Sequence, residues 1–369
     1  MLRLLFFILL LRLLSFDIWA QELDPVIHAV YLIGDTGKDT VPSEALQLLA
    51  FESFDDSLST ILFLGDNVYH EGNSLNRSAK TTHTSNLKLT NQLALFTAFL
   101  GKVYIIPGNH DWSNGKRMGL KAVENQQQLV DRWFLQNAPA ANRNTGVYFK
   151  NPGLPGPHEI KLCDQVQLVL LDSQWWLQQD LFHPVKTFQG KNRRQTGEIA
   201  LERLDSLLRI SDSSGKLSIV AAHHPLASNG KHAHHLEPIR FLLNYTPFHM
   251  LSWLGLNRFL REGLFQPRYM RYRKSVSAIL KKYKHVVYVS GHEHNMQYLR
   301  PDNLRLIISG SGSSTTLIDR YTYPATFLDD LQAGFFKITI HQSGTSYLHA
   351  YGVRDRGEYW NAKLFELNE

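Results

Sequence analysis

Cysteine is nearly absent: Cys163 is the single thiol in a chain of 369 residues. One thiol closes no intramolecular disulfide and builds no thiolate metal site, so disulfide-stapled scaffolds and zinc-finger-like modules are excluded. Cys163 sits inside the apolar stretch Ile160 to Leu171, where it reads as a small core residue. Internal repeats and low-complexity tracts are also missing, which excludes solenoids and disordered polymers. Charge of one sign is in modest excess only. The 39 Lys and Arg against 33 Asp and Glu leave +6, a balance that favours acidic partners in general and names none. What the chain does have is 43% hydrophobic and 20% charged residues, the make-up of a large folded core, and we read one large domain in it.

The first twenty residues read as an export signal. Met1-Leu2-Arg3 gives a charged start, Leu4 to Leu11 is strongly apolar, and Ala20 offers a small residue for cleavage before Gln21. Arg12 and Asp17 interrupt the stretch, whereas a membrane span needs about 20 predominantly apolar residues. The expectation is a secreted or periplasmic protein, with a signal peptide over 1–20 and the domain over 21–369. An uncleaved membrane anchor is the alternative.

Beyond the signal, Val26–Ile33, Thr60–Leu64, Val103–Ile106, Val166–Leu171, Leu217–Ala222, His285–Val289, Leu304–Ile308, Gly334–Ile340 and Ser346–Tyr351 are β-branched, aliphatic or aromatic and read as strands. Ser43–Phe54, Leu87–Leu100, Lys121–Leu135 and Gly197–Ile210 carry apolar residues at 3–4 residue spacing and read as helices. Strand-helix alternation followed by consecutive strands predicts an α/β fold, a mixed sheet packed on a second sheet with helices outside. Two stretches break the rhythm: Glu71 to Ser85, polar and loop-like, and an insertion at 237–284. From Arg258 to Lys284 the insertion holds nine Lys or Arg against the single acid Glu262, with Phe259, Phe265, Tyr269 and Tyr272 interleaved. A solvated basic face is the default reading of such a run. An anion-attracting lid is the sharper one, and specific nucleic-acid binding ranks below both.

Five short segments at strand ends carry the chemistry: Gly34-Asp35-Thr36-Gly37, Gly65-Asp66-Asn67-Val68-Tyr69, Gly108-Asn109-His110-Asp111, His223-His224-Pro225 and Gly291-His292-Glu293-His294. In open α/β sheets ligands gather outside the carboxyl ends of the strands, so five such tips can converge although they span most of the chain. They deliver carboxylate, phenol, amide and imidazole, the donors of a hard-ligand metal site. Taken singly, Asp35, Asp66 or Asn109 is a turn residue after a strand, Tyr69 a packing residue, and His292 or His294 an ordinary loop residue. Taken together they are not, because no packing rule asks for seven ligand-type residues at five successive strand ends. Asp111, Trp112 and Glu293 gain less from that argument and read as structural.

In order, spacing and strand-end placement the five motifs resemble the calcineurin-like metallophosphoesterase superfamily, from about Val26 to roughly Tyr351. The resemblance implies a four-layer sandwich, two mixed β-sheets packed face to face with helices on the outside. One exchange narrows it. Most members begin with Asp-x-His, but Asp35-Thr36-Gly37 lacks that His, and Tyr69 follows Asp66 in a Gly-Asp-x-x-Tyr pattern similar to that of the purple acid phosphatases, whose Tyr binds ferric iron. A phenolate is a hard, strongly donating anion suited to a trivalent ion. The segment Gly291 to Leu299 is especially similar to the small tartrate-resistant type.

Carried over by position, that resemblance implies two metal ions. Asp35, Asp66, Tyr69 and His294 would hold Fe(III), while Asp66, Asn109, His223 and His292 would hold a divalent ion (Fe, Zn or Mn), with Asp66 bridging. The family's His-x-Pro pattern selects His223 and leaves His224 as a pocket neighbour on the substrate side. Asn109 and His110 would reach the phosphoryl group, and His110 would assist the leaving alkoxide. His232, nine residues after His223 and beyond an Asn229-Gly230 turn, matches an offset found in the small purple acid phosphatases and is a second candidate acid. A solvated His-rich loop with His234 and His235 is its bland alternative.

The activity implied is hydrolysis of phosphate monoesters, acid phosphatase-like, by attack of a metal-bound hydroxide on a phosphorylated small molecule. Two alternatives stay open: a phosphodiesterase or nucleotide/pyrophosphate hydrolase on the same metals, and a surface protein that keeps the fold and holds an anionic polymer or membrane weakly. Nothing in the sequence sets the oligomeric state.

Overall fold

Runs of Val, Ile, Leu and Tyr build two seven-stranded sheets in the computed structural model, which describes residues 24–70, 72, 79–138, 146–178, 186–230, 266–318, 322–354 and 358–367. The expected export segment 1–20, residues 237–265 of the insertion and His232 lie outside the described residues. In the first sheet β1 (Val26–Ile33), β2 (Ser59–Phe63), β3 (Lys102–Ile105) and β4 (Gly146–Tyr148) run parallel. On the other side of β1, β12 (Gly334–His341), β13 (Ser346–Val353) and β14 (Tyr359–Glu366) continue it antiparallel. In the second sheet β6 (Val166–Leu170), β7 (Leu217–Ala221), β8 (Val286–Ser290) and β10 (Leu306–Ser309) are parallel. Antiparallel β5 (His158–Lys161) closes one edge, and β9 (Met296–Leu299) with β11 (Ala325–Asp329) closes the other.

The period-2 geometry of a strand explains the layering. On β7, Ile219 and Ala221 face the core shared with the first sheet, while Val220 joins a separate cluster under the helices. On β8, Val287 and Val289 face inward, while Val286 and Tyr288 face the helices. Both faces are therefore apolar, and each fully buried Val, Leu or Ile contributes about 1.5–3 kcal/mol. The result is the α/β sandwich expected from the sequence: two mixed sheets with helices. The sheets are also stitched directly, since the Gly34 amide donates to the Ser309 carbonyl (2.7 Å) and the Ser309 hydroxyl to the Leu32 carbonyl (2.6 Å).

Helices α1 (Glu44–Ser53), α2 (Ala79–Ala94) and α3 (Gly119–Asn137) belong to the first half of the chain, and α4 (Ser173–Leu177), α5 (Arg193–Ser213) and α6 (Pro267–Leu280) to the second. Local chemistry sets their starts. Ser43 caps α1 by accepting the Leu46 amide, and Asn192 with Gln195 forms a reciprocal capping box on α5. Helix α2 corrects the sequence reading, because it begins inside the stretch expected to be a loop. Its missed first half, Ala79 to Asn86, carries no large apolar residue, whereas Leu89 and Leu93 further along are buried in the core; polar contacts add to the docking, as Gln92 donates to the Asn67 carbonyl and accepts from Thr36, and Lys88 donates to the Tyr69 carbonyl at 3.1 Å. A helical stretch without large apolar residues shows no apolar periodicity. The described end of the basic insertion is likewise a helix, α6, and two of its arginines are not merely solvated: Arg268 donates to the Gln178 carbonyl and Arg273 to the Leu226 carbonyl. Among the described residues no helix is long and apolar enough to cross a membrane.

Candidate metal centre

Each of the five motifs leaves the carboxyl end of a parallel strand. Asp35 follows β1, Asp66 and Tyr69 follow β2, Asn109 and His110 follow β3, His223 and His224 follow β7, and His292 and His294 follow β8. The loops are tight, and three ligand candidates adopt left-handed backbone angles: Asp35 (φ 61°), Asp66 (φ 55°) and His292 (φ 70°). Non-glycine residues are uncommon there, and clusters of them mark functional sites. Glycine is required beside them for space. A Cβ on Gly65, itself at φ 94°, would stand 2.6 Å from His223 Nδ1, and one on Gly108 would stand 2.2 Å from Asp66 Oδ1.

The side chains of these loops meet in one buried cluster. On one side the Tyr69 hydroxyl lies 2.9 Å from Asp35 Oδ1 and 3.0 Å from His294 Nε2, and His294 Nε2 is 3.4 Å from Asp35 Oδ1. On the other, Asn109 Oδ1 lies 2.9 Å from His223 Nε2 and 3.1 Å from His292 Nδ1, and those two ring nitrogens are 3.3 Å apart. Asp66 stands between, with Oδ2 3.4 Å from His223 Nε2 and Oδ1 accepting the His110 amide at 2.8 Å.

Hydrogen bonds behind the cluster orient it. His223 Nδ1 donates to the Leu64 carbonyl at 2.8 Å, which puts the lone pair of the neutral ring on Nε2. That nitrogen then faces two oxygen acceptors, Asp66 Oδ2 and Asn109 Oδ1. Acceptors facing acceptors repel, and a positive charge between them, a ring proton or a metal ion, removes the repulsion. This donor set therefore fits metal ions of hard or borderline character. The field agrees. Burial alone would lower the His223 pKa, yet the charges and hydrogen bonds of Asp66, with Asp35 and the Leu64 carbonyl, push it up to about 9. His294 is raised in the same way, its burial outweighed by Asp35. Burial, then the charges of Asp35 and Asp66, hold the Tyr69 phenol well above its ordinary range, so a phenolate here requires a strongly charged cation beside it.

Several supporting residues escaped the sequence reading. Asn114, at φ 54°, accepts from Asn109 Nδ2 at 3.4 Å and donates to the His70 carbonyl at 2.9 Å, which turns the Asn109 oxygen inward. The Asn114-Gly115 dipeptide is a turn signal that could have flagged it. Ser314 meets His294 Nδ1 at 3.0 Å, and no motif announced it. Asp111, read as structural, clamps the second and third motif loops together by accepting the amides of Gly108 (2.8 Å), Asn67 (3.1 Å) and Val68 (3.1 Å). His224 is buried behind His292, with ring centroids 4.6 Å apart, and its Nδ1 meets the Ser173 hydroxyl at 2.8 Å. It supports an imidazole rather than forming an open rim. His110 keeps its side chain 20% exposed and donates from Nδ1 to the His70 carbonyl, so Nε2 is the nitrogen left for the site, 3.9 Å from Asp66 Oδ2.

Comparison with known proteins places these loops. A family model described as calcineurin-like phosphoesterase matches residues 28–296. Three solved structures share the fold at low identity. A Plasmodium protein described as GAP50, the anchor in the inner membrane complex, aligns at a TM-score of 0.57 and 17% identity, over 93% of this chain and 90% of the other. PhoD aligns at 0.53 and 13%, over 92% and 69%. A dimetal phosphatase from Danio rerio aligns at 0.50 and 13%, over 92% and 100%. No curated protein matches the sequence.

Proposed function

The chain belongs to the calcineurin-like phosphoesterase family, and on that premise we propose an exported dinuclear-metal phosphomonoesterase of the acid phosphatase type, acting on phosphorylated small molecules. One observation carries the reading. Asp66 sits against the Tyr69 group on one side and the His223 group on the other, in the place a bridging carboxylate occupies. Asp35, Asp66, Tyr69 and His294 would hold the more highly charged ion, Fe(III), and Asp66, Asn109, His223 and His292 a divalent ion, Fe, Zn or Mn. When bound, such a pair acidifies water and neutralises charge on phosphoryl oxygens.

The chain's own groups do the remaining work. His223 and His292 are fixed by the Leu64 carbonyl and by the His224 ring, so they reorganise little as charge develops. The Asn109 amide, held by Asn114, presents its oxygen inward. His110, held through Nδ1 by the His70 carbonyl, turns Nε2 toward the site and from there would deliver a proton to the departing oxygen. His232, if its loop folds back as its offset implies, shares that role.

Export follows from residues 1–20, and the mature N-terminus is expected near Gln21 by mass spectrometry of secreted material. A second reading, an anion- or membrane-holding surface protein, is favoured by the basic insertion and by the likeness to a membrane-complex anchor, but the complete donor set weighs against it. The test is direct: purify the chain from Gln21 onward, quantify metals, and assay aryl monoesters, diesters and pyrophosphates across pH. Two metals per chain with monoester turnover strongest at acid pH is the expected result. Two metals with no turnover of any ester would hand the case to the surface protein.

A further inference from the structure

On the outer side of the second sheet, α4, α5 and α6 enclose a cleft of about 530 Å³, within the size range of small-ligand sites. None of the proposed metal ligands lines it. Its walls carry Arg193, Arg194, Arg268 and Arg271, and among the described residues the only acid there is Glu198, which is paired with Arg194 at 2.9 Å. Charge is therefore in positive excess on a concave surface, where field lines concentrate.

Two helix starts deepen the excess. Arg193 opens α5 and Arg268 follows Pro267 at the start of α6, and neither first turn holds an acid. The positive end of a helix macrodipole normally attracts carboxylates and repels guanidinium groups. Two starts that break the rule toward the same cleft are the kind of local inconsistency found where a ligand supplies the missing charge. The groups are also pre-set. Arg193 bonds the Trp175 and Trp176 carbonyls at 2.7 and 3.0 Å and lies 5.5 Å from the Trp175 ring, while Arg268 holds the Gln178 carbonyl.

The apolar part of the wall is aromatic. Half-buried Trp176 leans on buried Tyr272 with ring centroids 5.2 Å apart and planes tilted by 45°, and Gly197 lets its indole lie close against α5, where a Cβ would stand 3.2 Å from the indole nitrogen. A partly exposed indole beside clustered guanidinium groups suits an aromatic ring bearing phosphates. We propose that this cleft is a second, non-catalytic site for a nucleoside di- or triphosphate.

The probe is the hydrolysis-resistant α,β-methylene analogue of ADP, titrated into the metal-loaded protein while tryptophan fluorescence is followed. Saturable quenching that weakens as salt rises is the expected result. The exposed Arg271 allows a charge reversal that leaves the fold alone, and Arg271→Glu should weaken binding by roughly tenfold or more. Its turnover of a small aryl phosphate should stay at the wild-type level. Trp176→Phe should remove most of the quench. Absence of saturable quenching, quenching of equal affinity by adenosine alone, or quenching unchanged in Arg271→Glu and Trp176→Phe overturns the proposal; the last would place the nucleotide at the metal centre.

Discussion

The two sheets contribute to the centre in different currencies of chemistry. Asp35, Asp66, Tyr69 and Asn109, all oxygen donors, follow β1, β2 and β3 of the first sheet, whereas His223, His292 and His294, all nitrogen donors, follow β7 and β8 of the second. Neither sheet holds a complete site. The first brings negative charge and the second brings imidazole rings whose orientation is set from behind. Because the halves are joined by contacts that need no metal, such as the His223 to Leu64 bond and the Trp112 to Asp172 bond at 2.9 Å, the pocket is assembled by folding. Metal ions held there would fasten what packing has already aligned.

The harshest test of this division is Asp66→Asn. If Asp66 serves both ions, losing its charge releases both, and with each ion worth several kcal/mol turnover falls by roughly 10⁴-fold. Metal analysis decides it, since two retained metals and near-normal turnover would refute the bridging role.

A paired substitution sharpens the contrast between the sheets. Tyr69→Phe is expected to abolish a visible phenolate-to-iron absorption band while the divalent ion stays. His292→Ala should do the reverse, with the band kept and the divalent ion lost. Loss of the same ion from both variants would mean that donors are not partitioned as proposed.

Next in size is His110→Ala, which touches the leaving group rather than the metals. Alkyl phosphates should slow by roughly 10²-fold, the low end for general acid catalysis, and activated aryl phosphates much less. Running His232→Ala alongside shows which histidine carries the proton, and equal losses on both ester types in both variants leave neither with that task.

The smallest effect is on stability. Asp172, at the end of β6, accepts the Trp112 indole N–H from the first-sheet loop, and burial raises its pKa to about 7 despite that bond and those from the Trp175 and Gln174 amides. The folded chain then holds this proton more tightly than the unfolded chain, so stability is lost as pH rises from the ordinary carboxylate value near 4 to about 7. Asp172→Asn keeps an acceptor, removes the titration and should make melting temperature less steep in that window, by at most a few kcal/mol of stability. An unchanged slope would mean that the cross-sheet contact carries no charge penalty.

How much of this was legible in the sequence follows from what each residue touches. Strands buried on both faces, such as β7 and β8, are continuous apolar runs and were readable to within a residue or two. Edge elements were not: β5, with alternately exposed and half-exposed residues, and the three-residue β4 lack that signal, and β14 lies beyond the last motif. Helix α2 was half missed because its first two turns, Ala79 to Asn86, hold no large apolar residue, while Leu89 and Leu93 mark the half that was seen. At the centre, the residues that present donors were nameable from five short motifs. Those that aim the donors were harder to see, since Ser314 acts from a loop and Ser173 from the first turn of the short helix α4, neither with a pattern of its own, and the Leu64 carbonyl is a backbone atom that sequence cannot mark.

The left-handed backbone at Asp35, Asp66 and His292 also bears on stability. Holding a side chain in that region costs about 1 kcal/mol relative to glycine. Proteins are held only to the stability and activity their function requires. At all three positions the strain falls on a side chain that points into the pocket, and the amide bonds that Asp35 accepts from His292 and Asp66 from His110 help to hold it there, so part of the stability of the sandwich is spent on keeping the pocket in shape.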